Sequence, residues 1–357
     1  MSRFYSDRAK GEPYVYGEQP KDKKYIKINT NENPYGPSPK AMKLLKETDW
    51  DRLKLYSDPL STELIDALSS FYGVSKEKIY VGNSSDEVLS FTWLAFFGRG
   101  EKVVYPDITY SFYTVYSQLY EVEECIVSLK DDYTMDLETM SKIPAKAVVI
   151  TNPNAPTGIV LTLEEIENFL KNNQDKLVVV DEAYVDFGNE SAIKLIDKYD
   201  NLLVVQTFSK SRSLAGLRIG FAMGNKELIN GLKVIKDQFN PYTLDSISNL
   251  VGAEAVLDKE YFDETRNKII KTREWVQKEL VDFGFLSTDS KTNFLFIEYP
   301  NVSGKFIFEE LRKRGILVRY FGKARMENRL RVSIGTDEEM KIVVEEIKNI
   351  VASFKNK

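Results

Sequence analysis

The chain has 357 residues, 43% hydrophobic and 29% charged, with a formal net charge of −5 at pH 7. Its length exceeds one ordinary core and predicts one large and one smaller domain, while slight acidity and scattered Lys and Arg argue against a nucleic-acid partner. No apolar run reaches the roughly 20 residues of a membrane span, and Met1-Ser2-Arg3-Phe4 lacks a signal-peptide core, so a cytoplasmic protein with no membrane partner is expected.

Two residue counts bound the chemistry. The chain has no His, which removes Ser-His-Asp triads, Cys-His pairs and His-ligated zinc. Proton transfer near neutral pH then falls to Lys, Tyr, Asp, Glu or a cofactor. The single cysteine, Cys125, excludes an intrachain disulfide and a multi-Cys metal site; it reads as a core residue, and no metal is expected.

Residues 1–29 are polar and irregular, with two Pro and two Gly between positions 11 and 20, and predict an N-terminal arm. In Asn31-Glu32-Asn33-Pro34-Tyr35-Gly36-Pro37-Ser38-Pro39, closely spaced prolines forbid regular structure. The asparagines offer fixed donors and acceptors, which suit a turn as well as a site. Between 39 and 71 the apolar spacing suits helices, with Leu64, Leu68 and Phe71 on one face after the break Tyr56-Ser57-Asp58-Pro59. Residues 78–81 read as a strand running into Gly82-Asn83-Ser84-Ser85-Asp86-Glu87 and then a helix. Such a junction presents backbone N–H groups to an anion, and equally describes an N-cap with acids in its first turn.

Further on, apolar strands at 102–105, 147–150, 177–180 and 202–205 alternate with helical patterns, including a tyrosine-rich one over 110–120. This predicts an α/β fold with a parallel sheet covered on both faces. Ligands bind beyond the carboxyl ends of such strands. Ser84-Ser85-Asp86, Asn152-Pro153-Asn154, Asp181-Glu182-Ala183-Tyr184 and Ser209-Lys210 are therefore expected to converge on one edge. The large domain is read as 30–245. Amphipathic helices over 246–281 and a second alternation through 354 make the smaller domain, 246–357.

The tract from Thr207 to Gly220 sets Lys210, Arg212 and Arg218 among small and hydroxyl residues. Alone it reads as a solvated loop. Held in a pocket beside other cations, a lysine becomes a nucleophilic amine suited to Schiff-base chemistry. A lysine amine, a buried strand-end aspartate, an aromatic ring and an anion cradle are together what pyridoxal phosphate needs.

The same residues carry a resemblance. Pro13-Tyr14-Val15-Tyr16-Gly17-Glu18-Gln19-Pro20, Asn31-Glu32-Asn33-Pro34, Tyr56-Ser57-Asp58-Pro59, Asn154-Ala155-Pro156-Thr157-Gly158, Asp181-Glu182-Ala183-Tyr184, Ser209-Lys210, Ala215-Gly216-Leu217-Arg218 and Leu330-Arg331 occur in that order. Over nearly its full length the chain resembles the fold type I pyridoxal-phosphate aminotransferases, and within them the histidinol-phosphate branch. The resemblance implies a large domain with a mostly parallel sheet between helices, a smaller α/β C-terminal domain, pyridoxal 5'-phosphate as cofactor, and a homodimer. It also implies transamination between a small-molecule amino donor and a keto acceptor.

It further implies Lys210 as the Schiff-base lysine and proton carrier, Asp181 as partner of the ring nitrogen, Tyr184 as donor to the phenolic oxygen O3′, and Tyr110 stacked on the ring. Ser84, Ser85, Ser209 and Arg218 are expected at the phosphate, with Tyr56 reaching in from a second subunit. Asp86, Asn154 and Thr207 complete the cofactor shell. Arg331 is expected to grip the substrate's anionic end, with Tyr14, Asn33 and Tyr242 lining that pocket. In the histidinol-phosphate reading glutamate gives its amino group to imidazole-acetol phosphate. Similar folds transaminate aromatic amino acids or other phosphorylated ketones, or decarboxylate phosphoserine or phosphothreonine, and some serve as non-catalytic sensors. Two positions depart from the family pattern. Ala155 stands where an asparagine usually bonds O3′, leaving Asn154, Asn152 or Tyr184 alone for that duty, and Tyr16 replaces a commoner proline.

Overall fold

The computed structural model describes residues 2–11 and 14–355; Pro13, first residue of the arm motif, lies outside the described residues. Two of the strands are very short: β1 (Ile26–Lys27) follows the arm and pairs in parallel with β11 (Ile316–Leu317). Seven strands form the main sheet: β2 (Ile79–Asn83), β3 (Lys102–Pro106), β4 (Glu123–Val127), β5 (Ala147–Thr151), β6 (Leu177–Asp181), β7 (Leu202–Thr207) and β8 (Ile219–Gly224). Their order is β2-β8-β7-β6-β5-β3-β4. Only β8 runs against the rest, antiparallel to both β2 and β7.

Every residue of β5, β6, β7 and β8 is buried. That is why these strands are continuous apolar runs rather than alternating ones. Each Val or Leu so covered contributes on the order of 1.5–3 kcal/mol. Two of the strands were not visible in the sequence. The edge strand β4 opens with Glu123 and Glu124 and leaves most of its residues partly or fully exposed. In β8, Ile-Gly-Phe-Ala-Met-Gly carries a glycine near each end and continues directly from the lysine tract.

A second sheet, of order β12-β13-β10-β9, is antiparallel and joins β9 (Leu286–Ser287), β10 (Phe294–Glu298), β12 (Arg319–Tyr320) and β13 (Leu330–Ser333). It has its own core, in which Ile269, Val276 and Leu280 of the helix Lys259–Phe283 meet Phe294, Ile297, Val332 and Ile347. The helix Ser246–Leu257 belongs elsewhere: its Val251 and Val256 join Leu64 and Ile219 in the core beneath the seven-stranded sheet. That helix, read from its sequence with the smaller domain, thus packs in the core of the large sheet. Among the described residues no helix is long and apolar enough to cross a membrane.

Candidate active site

The carboxyl ends of β2, β5, β6 and β7 bring the expected polar groups to one edge. Asp181 closes β6 and is 3% exposed. The Tyr113 hydroxyl donates to its Oδ2 at 2.7 Å and the Ala183 N–H to its Oδ1 at 3.2 Å. Burial pushes its pKa up to about 6, against the pull of those donors; nearby Asp86 adds to the rise and Lys210 opposes it. A carboxylate in this state gains from an adjacent cation. Tyr113 also reaches Thr151 Oγ1 at 2.8 Å and so ties β5 to β6. It is missing from the sequence reading because it sits in the helix Phe112–Tyr120, where tyrosines resemble core. The available signal was the repeat Tyr110, Tyr113, Tyr116, Tyr120 along one helical face.

Lys210 follows β7, half-buried. Its Nζ lies 5.8 Å from the centre of the Tyr184 ring and 3.4 Å from the Thr30 carbonyl oxygen. Asn33 Nδ2 donates to the carbonyls of Lys210 and Ser211, at 3.0 and 3.3 Å, and its Oδ1 accepts the Tyr35 N–H. Asn33 is therefore spent on holding the lysine's loop and is not free to line a substrate pocket as expected.

The anion cradle is built from two chain segments. Ser84 opens the helix Ser84–Phe96 with φ 75°. Gly220 of β8 lies against it so closely that a Cβ there would stand 2.1 Å from Ser85 N and 2.3 Å from Ser84 C. The turn is thus floored by a glycine, and its N–H groups stand at a helix N-terminus. Thr207 and Ser209 are buried beside it, their hydroxyls 3.0 Å apart. Arg218, with φ 53°, sends Nη2 to Asp86 Oδ2 at 2.6 Å, and the Tyr110 hydroxyl donates to Asp86 Oδ1 at 2.7 Å. Asp86 is an acceptor that anchors these two residues; its carboxylate would repel a phosphate rather than bind it.

The asparagines near the third strand end are committed. Asn154 donates to Ile108 O and Thr157 Oγ1, at 2.9 and 3.1 Å, and accepts from Thr109 Oγ1. Asn152 is spent on both backbone groups of Leu161. The Tyr184 hydroxyl accepts from Asn31 Nδ2 at 2.9 Å.

Across this edge stands Arg331 of β13. Its Nη2 donates to Asn29 O at 3.0 Å, while its buried Nε has no partner. Burial holds its pKa below the usual arginine range, and Arg319 lowers it further. Arg319 is the directly opposed residue on β12, and both guanidinium groups lie over the Phe321 ring, at 5.6 Å each. Arg319 was missed in the sequence because a lone Arg at the end of a two-residue strand carries no local signal. Its Nη groups face the arm carbonyls of Val15 and Tyr16. Tyr14 packs 4.8 Å from Phe112, which stacks on Tyr110. Tyr56 and Tyr242 stack on each other at 4.6 Å, and Tyr56 is 84% exposed.

Pyridoxal phosphate fits this donor set. The glycine-floored turn with Arg218 suits a phosphate, the buried Asp181 suits a protonated ring nitrogen, and Lys210 follows β7, the strand paired with β6. Together, fold and site define a pyridoxal-phosphate-dependent transaminase. The family description "Aminotransferase class I and II" matches residues 23–347, and the chain belongs to that family. It is 52% identical to a histidinol-phosphate aminotransferase of Brachyspira hyodysenteriae, over 98% of this chain and 99% of that one. It is also 52% identical to one from Clostridium acetobutylicum, over 99% and 100%. A solved histidinol-phosphate aminotransferase from Sinorhizobium meliloti, in complex with pyridoxal-5'-phosphate, superposes with a TM-score of 0.85 at 25% identity, covering 93% of this chain and 92% of that one.

Proposed function

We propose that this enzyme transfers the amino group between histidinol phosphate and 2-oxoglutarate, giving imidazole-acetol phosphate and glutamate, and that it works as a homodimer in the cytoplasm. The observation that carries the substrate reading is the pairing of Arg331 with Arg319 across β12 and β13. Two guanidinium groups, one with a free buried Nε, suit an acceptor that presents a carboxylate in one half-reaction and a phosphate in the other. The similarity to histidinol-phosphate aminotransferases supports the same substrate.

When bound, pyridoxal phosphate supplies an electron sink that acidifies the substrate's Cα–H. Lys210 would take that proton from Cα and deliver it to the cofactor's C4′, the duty that a chain without histidine leaves to its lysine amine. Asp181 keeps the ring nitrogen protonated, its charge favoured by Tyr113 and Ala183. Ser84, Ser85, Ser209, Thr207 and Arg218 hold the phosphate, with Asp86 orienting Arg218. Tyr110 packs against the ring, and Tyr14 closes the substrate side through Phe112.

A second copy of the chain completes the site. Leu55, Tyr56 and Leu60 are strongly exposed, and Leu60 lines a groove with Ile65, Val81 and Leu244 beside the charged Asp58, Lys76 and Lys236. An apolar surface of this kind suits burial against a second subunit, carrying Tyr56 to the partner's phosphate.

The test follows glutamate-dependent turnover with imidazole-acetol phosphate, phenylpyruvate and dihydroxyacetone phosphate. The first should dominate, and Lys210→Ala should abolish both turnover and the visible absorbance of the bound cofactor. Turnover with phenylpyruvate alone overturns the substrate. CO₂ release from phosphoserine without reaction of glutamate overturns transamination.

A further inference from the structure

Proton counting determines where the Tyr184 hydroxyl points. Asn31 is 1% exposed, sits at φ 57° in the left-handed region that Asn tolerates, and its carbonyl accepts from Asn293 Nδ2 at 2.9 Å. Its backbone N–H donates to Ser333 Oγ at 3.0 Å. The Ser333 hydroxyl keeps its own proton, and the acceptor in reach is Asn31 Oδ1 at 2.7 Å. The oxygen end of the amide therefore faces Ser333 and the NH₂ end faces Tyr184. Tyr184's oxygen accepts that N–H at 2.9 Å. A neutral phenol has one proton, which must then point away from Asn31; Lys210 Nζ lies 5.8 Å from the centre of the same ring.

The amides of Asn152 and Asn154 are committed elsewhere, and position 155 is alanine. Tyr184 is thus the donor left for a phenolic oxygen placed beside Lys210. We propose that Asn31, set by Ser333, is a positioning residue that aims the Tyr184 proton at the cofactor's O3′ and strengthens Tyr184 as a donor. The inference rests on the pyridoxal-phosphate reading of the site. Accepting one hydrogen bond polarises a hydroxyl toward giving a better one. Ser333 lies two residues from Arg331 on β13, so the strand that presents the substrate's arginine also sets this bond. The charged groups that face Tyr184 are Lys210 from the loop after β7 and Arg331 from β13. The ring itself packs edge-on to Phe294 at 5.1 Å.

The test is a pH titration of the bound cofactor's visible absorbance in the purified holoenzyme. Tyr184's bond favours the deprotonated phenolic oxygen, so Asn31→Ala should raise the apparent pKa of the chromophore by roughly 0.5–1 unit, the scale of one hydrogen bond. In a Tyr184→Phe background the same change should shift it by much less, because the relay has lost its end. A role in stability alone would lower the unfolding midpoint and leave the titration where it was. An unchanged titration in Asn31→Ala, or an equal shift in both backgrounds, overturns the proposal. Should Asn31→Ala not accumulate as folded protein, Ser333→Ala carries the test: it releases the Asn31 amide to flip and should move the titration upward as well, and no movement there overturns the proposal. A wild-type protein that takes up no chromophore would instead refute the cofactor reading.

Discussion

Replacing Asp181 with asparagine should act with opposite sign on the empty and the loaded enzyme. In the cofactor-free protein the carboxyl's pKa stands at about 6, raised by burial from 3.8. A raised folded-state pKa means that the charged form is penalised. The penalty is absent below the unfolded value, grows as pH rises, and is complete above the folded value. Two units correspond to about 3 kcal/mol at pH 8, falling to about 1.5 kcal/mol at pH 5. Asparagine removes that penalty but disturbs the bonds from Tyr113 and Ala183, a loss of about 1–2 kcal/mol. Cofactor-free Asp181→Asn should therefore be more stable than wild type by about 1–2 kcal/mol at pH 8, with the gain fading toward pH 5. Urea unfolding of the stripped proteins at both pH values measures this. With pyridoxal phosphate bound the order should reverse, because the ring nitrogen's cation then repays the buried charge, and cofactor affinity should fall by roughly tenfold or more. A stripped Asp181→Asn protein less stable than wild type at pH 8, or an advantage that does not shrink in acid, would refute the reasoning.

Two further outcomes follow from the cradle and from the surface. Gly220→Ala must force a Cβ against the Ser84 and Ser85 backbone, and should cost about 3 kcal/mol in urea unfolding. Gly216→Ala meets nothing within 4 Å and should stay within about 0.5 kcal/mol of wild type; equal losses at the two positions would deny the close approach. Mixing Lys210→Ala with Tyr56→Ala subunits should restore about a quarter of wild-type activity, since half the dimers then hold one intact site. Recovery no greater than the sum of the separate variants would place Tyr56 in its own subunit's site.

The local order of the chain made most of the large sheet legible. β5, β6 and β7 are buried on both faces, so their apolar runs stand out, and the polar motifs that end them follow at once in sequence. β8 and β4 were hidden for different reasons, the first by its glycines and the second by the glutamates of an exposed edge. The helix Ser246–Leu257 was read with the smaller domain because amphipathic spacing says which face is buried, not against what.

What sequence alone determined here is chemistry that depends on residue type at a strand end. The absence of histidine left proton transfer to Lys, Tyr, Asp, Glu or a cofactor, and Lys210, Asp181 and Ser84-Ser85 could each be placed because a strand delivers its next residues to a known edge. What the tertiary structure decided is every partnership between distant segments: Tyr113 with Asp181, Arg319 opposite Arg331, Gly220 beneath Ser85, and Asn31 with both Ser333 and Tyr184. A hydrogen bond spans about 3 Å and is blind to separation along the chain. Asn31 and Ser333 are 302 positions apart, so only folding brings one to set the other's proton.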